Sequence, residues 1–340
     1  MHADNNRTVI DLPRPYLLFL GDVTEPGYAK TAFGLRDWAP DHCVGEYGLA
    51  GALTIGLAQL RPREAKIAGA RSLVIGVANP GGVIPEAWLP ALVEALDAGL
   101  DIVGGMHSRL NDIPRLSERA RASGRRLIDV RSPPAGIPIA TGRKRPGRRL
   151  LTVGTDCALG KKYTALALTR AMAACGIKAD FRATGQTGIM IAGAGMPMDA
   201  VVADFEAGAA EMLSPDAAPD HWDVIEGQGS LSHPSYAGVS LGLLHGSQPD
   251  VIVVCHEPGR THVIGHPELP MPTVEHTIDL NLTMGRRASA SDNCDVLKLT
   301  PPQRIAGLVR RPIVRLRSIV YSTVGIGSSG WPMTCVRPGS

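Results

Sequence analysis

Residues 150–164 read Leu-Leu-Thr-Val-Gly-Thr-Asp-Cys-Ala-Leu-Gly-Lys-Lys-Tyr-Thr, and this stretch decides the fold of the second half of the chain. An apolar strand stops at Gly154, a short polar loop follows, and Gly160-Lys161 opens a helical stretch that runs to Cys175. This order is the layout of a phosphate-binding loop, in which glycine lets backbone amides approach an anion and the helix start adds positive potential. An ordinary strand-to-helix turn is the competing interpretation.

The loop departs from the common pattern at one position. Lys162 stands where a Ser or Thr usually follows the lysine and holds Mg²⁺, and Thr164 lies two residues later. We expect the loop to hold phosphates, whereas the case for metal-assisted nucleotide cleavage is weakened. The predicted phosphate-binding residues are Gly154, Thr155, Gly160, Lys161, Lys162 and Thr164, and no metal ligand is predicted.

Length and composition set the class of protein. A chain of 340 residues fits two domains of ordinary size, and 44% hydrophobic with 20% charged residues is typical of a globular protein. No segment approaches the roughly 20 apolar residues of a membrane span, and the first residues lack the apolar run of a signal peptide. We expect a cytoplasmic protein without a membrane partner.

The net charge of +3 is a property of one segment. Residues 289–340 carry seven Lys or Arg against two Asp, so the rest of the chain is slightly acidic. The positive balance is therefore poor evidence for nucleic acid, and no nucleic-acid partner is expected.

Strand and helix patterns alternate along the chain, which favours parallel, doubly wound sheets. Before the loop, strands are predicted over 15–21, 72–78, 101–104 and 126–130, and helices over 29–38, 85–98 and 113–123. After it, strands are predicted over 179–183, 223–225 and 250–255, and helices over 200–213 and 235–244. A basic, proline-containing stretch over 142–149 separates the two sets. We predict two three-layer α/β domains, residues 1–146 and 147–340.

Each strand of the second domain ends in polar or glycine-rich sequence. Ligands of open α/β sheets bind beyond the carboxyl ends of the strands, so these ends predict one site. The candidates for a catalytic base are Glu226, Asp156 and His256, and those for substrate binding are Arg182, Thr184, Gln186, Thr187 and Gln228. Alternatives stay open for several of them. Glu226 is also a candidate metal ligand, substrate-positioning group or plain surface acid, residues 184–188 are also compatible with a simple turn, and Arg182 with a structural role.

Two resemblances follow from these motifs. Gly154-Thr155-Asp156 with residues 226–229, Glu-Gly-Gln-Gly, resembles dethiobiotin synthetase, an enzyme that uses ATP and Mg²⁺. A longer resemblance is to the bacterial DgcN-type D-glutamate N-acetyltransferase family, formerly a domain of unknown function. It is carried by residues 16–22, 74–83, 153–157, 181–188, 221–231 and 255–258, within a span of about 13–288.

The longer resemblance implies a Rossmann-like N-terminal domain and a P-loop C-terminal domain. It also implies transfer of an acetyl group from acetyl-CoA to a small amino acid, with D-glutamate in first place. Lys162 then supplies a second cation for the phosphates of CoA, and thioester aminolysis requires no Mg²⁺. We expect a homo-oligomer. The alternatives are an ATP- and Mg²⁺-dependent ligase or kinase of the dethiobiotin-synthetase type, and a nucleotide- or CoA-binding module without turnover.

The chain departs from the family after about Ser289. A further strand and a terminal helix pair are expected there, but residues 289–340 are rich in Arg and Pro and lack Glu. Two hypotheses account for this: a frameshift that replaced the native C-terminus, or genuine divergence.

Overall fold

The computed structural model describes residues 10 and 12–285, together with the backbone of residues 295–297, 317–318 and 320–322. The strands are β1 (Tyr16–Gly21), β2 (Cys43–Gly48), β3 (Ser72–Ile75), β4 (Asp101–Gly104), β5 (Leu127–Asp129), β6 (Arg148–Gly154), β7 (Ala179–Arg182), β8 (Trp222–Ile225), β9 (Val251–His256), β10 (His262–Val263), β11 (His266–Pro270), β12 (Asp295–Leu297), β13 (Arg317–Ser318) and β14 (Val320–Ser322). The helices are α1 (Lys30–Trp38), α2 (Pro62–Ile67), α3 (Leu89–Asp97), α4 (Pro114–Ser123), α5 (Lys161–Ala174), α6 (Gln186–Ala192), α7 (Glu206–Leu213), α8 (Ala237–Ser247) and α9 (Val274–Gly285).

Contacts divide the chain into two compact units. Unit 1 comprises Met1–Pro134 and Gly185–Ala200, and unit 2 comprises Ala135–Thr184 and Val201–Ser340. Both are α/β, which confirms the predicted fold class. The segment 185–200 follows the phosphate-loop strand in sequence and yet groups with the first unit, a feature that the sequence pattern does not reveal. The predicted domain boundary between residues 146 and 147 stays a prediction.

Unit 1 contains a five-stranded parallel sheet in the order β2-β1-β3-β4-β5. β1 is buried along its whole length, because its run of apolar residues lies inside the sheet with a neighbour on each side. Side chains from β1, β3 and β4 form one core with α3 and α4. α3 begins at Leu89, later than the predicted start at residue 85, because a single 3₁₀ turn over Glu86–Trp88 precedes it.

Helix α6 corrects one sequence interpretation. The hydroxyls, amide and flexible backbone of residues 184–188 predict a substrate-binding loop or a plain turn, but Gln186 begins a helix whose residues 187–191 are buried. It packs against α1, where the hydroxyls of Thr31 and Thr187 lie 2.9 Å apart. The hydroxyl of Tyr16 donates to the Met190 carbonyl at 3.2 Å. The buried apolar run 189–191 therefore outweighs the glycines in setting local structure.

Unit 2 contains a parallel sheet in which β9, β6, β8 and β7 are neighbours in that order, with β12 and β14 paired to the far side of β9. Leu150 of β6, Val224 of β8 and Val253 of β9 pack against Ala165, Leu168 and Met172 of α5. Because the strands are parallel, their carboxyl ends share one edge. The loops after β6, β8 and β9 therefore converge, as the sequence predicts.

The sequence prediction omits the antiparallel hairpin β10–β11 and helix α9, both in unit 2. It also omits helix α6, which belongs to unit 1. The hypotheses about residues 289–340 fall outside the described residues, apart from the short backbone segments β12, β13 and β14. Among the described residues, none of the helices has both the length and the apolar character needed to cross a membrane.

Candidate functional site

The phosphate-binding loop has the conformation that its sequence predicts. β6 ends at Gly154 and α5 begins at Lys161, directly after Gly160, which adopts left-handed backbone angles (φ 86°, ψ 13°). A Cβ at Gly154 would lie 3.1 Å from the Cys255 carbonyl oxygen and 3.4 Å from Nζ of Lys161. A side chain would therefore be tightly packed at Gly154, and at Gly160 it would require strained backbone angles.

Lys161 lies inside the loop. Its Nζ donates to the Asp156 carbonyl at 2.7 Å, and its side chain is only 6% exposed. Burial lowers the pKa of this ammonium group, and the neighbouring Arg260 adds to the effect, whereas Cys255, Cys157 and Asp156 oppose it. A phosphate oxygen at this position would add a further negative charge that stabilises the buried cation.

Asp156 is an anchor for the loop. Its buried carboxylate accepts hydrogen bonds from the Cys157 amide (2.6 Å), the Ile264 amide (2.8 Å) and Nη1 of Arg260 (3.2 Å). Three donors, one of them cationic, thus occupy the two oxygens of this carboxylate. The carboxylate of Asp156 thereby ties Cys157, Arg260 and Ile264 together.

Glu226 lies at the end of β8 with two other candidates. Its Oε2 accepts the Thr184 amide at 2.9 Å, and its carbonyl accepts the Thr184 hydroxyl at 2.7 Å. Nε2 of Gln228 donates to the same hydroxyl at 2.7 Å. The structure thus brings Glu226, Thr184 and Gln228 into one hydrogen-bonded group, with Glu226 organising the backbone after β7.

His256 lies at the end of β9 beside the phosphate loop. Its Nδ1 is 3.1 Å from Oγ1 of Thr155, the first polar residue of the loop. Burial lowers the pKa of the imidazole, Arg260 adds to the effect, and Glu257 and Glu275 oppose it. The neutral form of His256 therefore predominates at neutral pH, which is the form that accepts a proton.

Four of the predicted site residues have no side-chain hydrogen bond, among the described contacts, to Glu226, Thr184 or Gln228. The Arg182 guanidinium donates to the buried Asp223 at 2.7 Å and reaches Asp180 at 3.5 Å. Gln186 and Thr187 belong to α6 and group with unit 1. Thr164 is buried and accepts the Cys255 thiol at 3.5 Å, so it faces β9.

Lys162 lies in the first turn of α5, with its Nζ 4.5 Å from the centre of the Tyr163 ring. Its ammonium group therefore lies near the start of α5, where an anion is favoured.

The hairpin β10–β11 supplies residues that sequence reasoning missed. Arg260 donates to Asp156 and to the Cys157 carbonyl (2.8 Å), and it also pairs with Glu257. Together with the Ile264 amide, these bonds fasten the hairpin to the phosphate loop. The polar run after β9 was the available signal, but it does not indicate which of its residues turns back to the loop.

Asp156, Cys157 and His233 place one potential metal-binding atom each within 4.8 Å of one another. Their chemistry does not favour a cation. Asp156 is paired with Arg260, Nδ1 of His233 accepts the Ser235 amide at 3.1 Å, and its Nε2 lies 3.3 Å from the Ile264 carbonyl. Burial raises the pKa of the Cys157 thiol, which disfavours the thiolate that a metal requires. That the site uses no metal stays a prediction.

Two α/β units, one of them built around a phosphate-binding loop, define the class of protein. The C-terminal part of the chain, residues 138–301, matches the family model described as a domain of unknown function (DUF1611_C) P-loop domain. Residues 48–133 match the domain of unknown function (DUF1611_N) Rossmann-like domain. The chain belongs to the DUF1611 family, which confirms the family resemblance and the two-domain fold.

Two relatives carry a functional name. A protein named D-glutamate N-acetyltransferase from Tritonibacter scottomollicae is 54% identical over 276 residues, covering 81% of this chain and 83% of the relative. One of the same name from Pseudoalteromonas sp is 50% identical over 273 residues, covering 80% and 82%. The crystal structure of a DUF1611 family protein from Anabaena variabilis superposes with a TM-score of 0.71 at 35% identity, covering 80% of this chain and 83% of that one.

Proposed function

We propose that this protein transfers the acetyl group of acetyl-CoA to the amine of a small amino acid, with D-glutamate as the preferred acceptor. The names of the two relatives at 54% and 50% identity support the reaction class. One observation carries the mechanism: a histidine of lowered pKa, His256, bonded to the phosphate loop through Thr155.

The loop is the proposed site for the phosphates of the acetyl donor. Its backbone amides, the start of α5 and the cations Lys161 and Lys162 all favour an anion. Lys162 replaces the hydroxyl that holds Mg²⁺ in nucleotide-cleaving loops, and acyl transfer from a thioester requires no metal. Acetyl-CoA contains both a pyrophosphate and a thioester. A loop that binds this donor needs an anion site but no hydroxyl that holds a metal.

His256 is the proposed general base. We assign the tautomer in which Nδ1–H donates to Oγ1 of Thr155, so that Nε2 keeps its lone pair. The acceptor nitrogen forms a bond to the thioester carbonyl carbon, the carbon–sulfur bond breaks, and the CoA sulfur leaves. Nε2 takes the proton from the amine and returns it to the departing thiolate. Alignment of donor and acceptor supplies much of the remaining rate enhancement.

Glu226, Thr184 and Gln228 are the proposed acceptor-binding group. The Glu226 carboxylate holds the Thr184 amide, and Gln228 holds the Thr184 hydroxyl. Thr184, itself buried, thereby fixes the Glu226 carboxylate and the Gln228 amide after β8, beside the strand that leads into the phosphate loop. Such groups suit the carboxylate and ammonium of an amino acid. Asp156 is proposed as an anchor of the loop, and Arg182 as the partner of Asp223.

The test is a pair of histidine variants. His256→Gln should lower kcat by roughly 10²- to 10⁴-fold, because loss of a general base has that cost, while the affinity for acetyl-CoA stays within about threefold. His262→Gln is the matched control, since His262 lies in the same segment, is exposed and contacts Thr261. If both variants turn over like the parent, His256 is not the base.

One observation favours the ATP- and Mg²⁺-dependent alternative. Glu226 directly follows β8, the strand next to β6, and P-loop enzymes place an acid that holds Mg²⁺ or a water molecule at this position. Turnover that requires Mg²⁺ and ATP would establish this alternative. Binding of acetyl-CoA without any turnover would instead favour a non-catalytic binding module.

We also propose that the protein is a cytoplasmic homo-oligomer that acts on small molecules and not on nucleic acid. The concentration of positive charge in residues 289–340, away from the phosphate loop in sequence, supports the absence of a nucleic-acid role. Light scattering of the purified chain tests the oligomeric state, and a nucleic-acid gel-shift assay tests the second point.

A further inference from the structure

Two large apolar side chains next to the phosphate loop are exposed. Tyr236 follows β8 and is 46% exposed, and Ile264 lies between β10 and β11 and is 47% exposed. An exposed apolar pair beside an anion site indicates the kind of ligand that binds there. A ligand with both phosphates and an apolar group would cover the two side chains.

Tyr236 is held in a fixed position. Its ring packs on the His233 ring with 4.6 Å between centres and an angle of 35°. His233 is buried, its Nδ1 accepts the Ser235 amide, and its Nε2 faces the Ile264 carbonyl. A Cβ added at Gly229 would lie 2.3 Å from Cβ of Tyr236, so residue 229 packs closely against the base of the Tyr236 side chain.

Ile264 is tied directly to the phosphate loop. Its amide donates to Oδ2 of Asp156 at 2.8 Å, and its carbonyl faces His233. Arg260 adds bonds to Asp156 and to the Cys157 carbonyl. Tyr236, His233 and Ile264 therefore form one surface, here called the ring platform, that is hydrogen-bonded to the loop that would hold the phosphates.

We propose that the ring platform receives the adenine ring of an adenine nucleotide whose phosphates lie on the loop, the nucleotide being CoA if the proposed function holds. Adenine has a planar π face that stacks on an aromatic ring, and the apolar side chain of Ile264 covers its edge. The phosphates of the same ligand meet Lys161 and the loop amides. Anion and apolar ring are thus recognised by adjoining parts of unit 2.

Calorimetry on the full chain tests the proposal. The ligands are CoA, ATP with Mg²⁺, and 4′-phosphopantetheine, which carries a phosphate and lacks the adenosine part. Tyr236→Ala should weaken the affinity for CoA roughly 5- to 150-fold, because it removes one stacking contact with a base, and should leave the affinity for 4′-phosphopantetheine unchanged. Tyr236→Phe should retain most of the affinity, since the ring remains. Val202→Ala is the control, because Val202 is another exposed apolar residue of the same unit, at 66% exposure.

Several results would overturn the proposal. They are an unchanged CoA affinity in Tyr236→Ala, an equal loss for CoA and 4′-phosphopantetheine, and a parent protein that binds neither adenine nucleotide. A parent that binds ATP and not CoA would refute the proposed function alone. In that case, a lower affinity for ATP in Tyr236→Ala but not in Tyr236→Phe would support the ring platform, and an unchanged affinity in both would overturn it. Thermal unfolding of each variant shows whether the fold is retained.

Discussion

Oγ1 of Thr155 lies 3.1 Å from Nδ1 of His256, so the first polar residue of the phosphate loop is bonded to the last residue of β9. β6 and β9 are parallel neighbours in which Gly154 pairs with Cys255, and this register brings the two side chains together. The proposed phosphate site and the proposed base are therefore joined by one hydrogen bond.

The pH dependence of kcat/KM should reflect His256. The active form is the neutral imidazole, so kcat/KM should fall as the pH drops through the pKa of this residue. Burial lowers that pKa, which moves the fall to a pH below the ordinary histidine value of about 6.5. In Glu275→Gln the acidic limb should move lower still, because Glu275 raises the pKa of His256. An acidic limb that does not respond to substitution of His256 would assign the titration to another group.

Lys161→Ala should weaken acetyl-CoA binding. The loss of one charge-assisted hydrogen bond to phosphate costs about 1.5–3 kcal/mol, which is roughly 10- to 150-fold in affinity. Lys178→Ala is the control, because Lys178 forms an exposed ion pair with Asp220. Calorimetry measures both variants, and an unchanged affinity in Lys161→Ala would show that the phosphates bind elsewhere.

Much of the loop is predictable from sequence, because an apolar strand, Gly154, Gly160 and Lys161 stand in one continuous run. The neighbouring strands are predictable in the same way, because each apolar run stops where the strand ends. The partners of Asp156 are not predictable in this way. Arg260 and Ile264 are separated from it by 104 and 108 residues, and no local pattern links them.

Residues 184–188 show a second feature that could not be predicted from the sequence. Thr184 belongs to unit 2 and bonds Glu226, whereas Gln186 and Thr187 belong to unit 1. A single polar stretch predicts one loop with one role, because sequence adjacency carries no information about which core the following helix joins. The burial of residues 187–191 is a tertiary effect, so the interpretation as a loop was wrong from Gln186 onwards.

Gly227→Ala should destabilise the protein severely. The added Cβ would lie 1.6 Å from the Thr152 carbonyl oxygen, which is backbone of β6 and cannot move without shifting the loop strand. We expect a loss of more than about 2 kcal/mol in the free energy of unfolding. Gly238→Ala is a matched control in α8, where a Cβ meets no atom within 4 Å, and it should be neutral or stabilising by up to about 1 kcal/mol. Urea denaturation measures both, and similar values would contradict the packing described for β6 and β8.

The contact of α6 with α1 can be tested by a double-mutant cycle. Thr31→Val and Thr187→Val should each cost about 1–3 kcal/mol of unfolding free energy, because each leaves a buried hydroxyl without its partner. The double variant should cost clearly less than both single changes combined, since no hydroxyl is then left unpaired. Strictly additive costs would mean that the two threonines do not touch.

Acetyl transfer in the presence of a chelator tests the central claim most directly. The purified chain is incubated with acetyl-CoA, D-glutamate and EDTA, and N-acetyl-D-glutamate and free CoA thiol are measured together. We predict that both accumulate in equal amounts and that added ATP and Mg²⁺ change neither. Product that forms only with ATP and Mg²⁺, or no acetylated product although acetyl-CoA binds, would contradict the account.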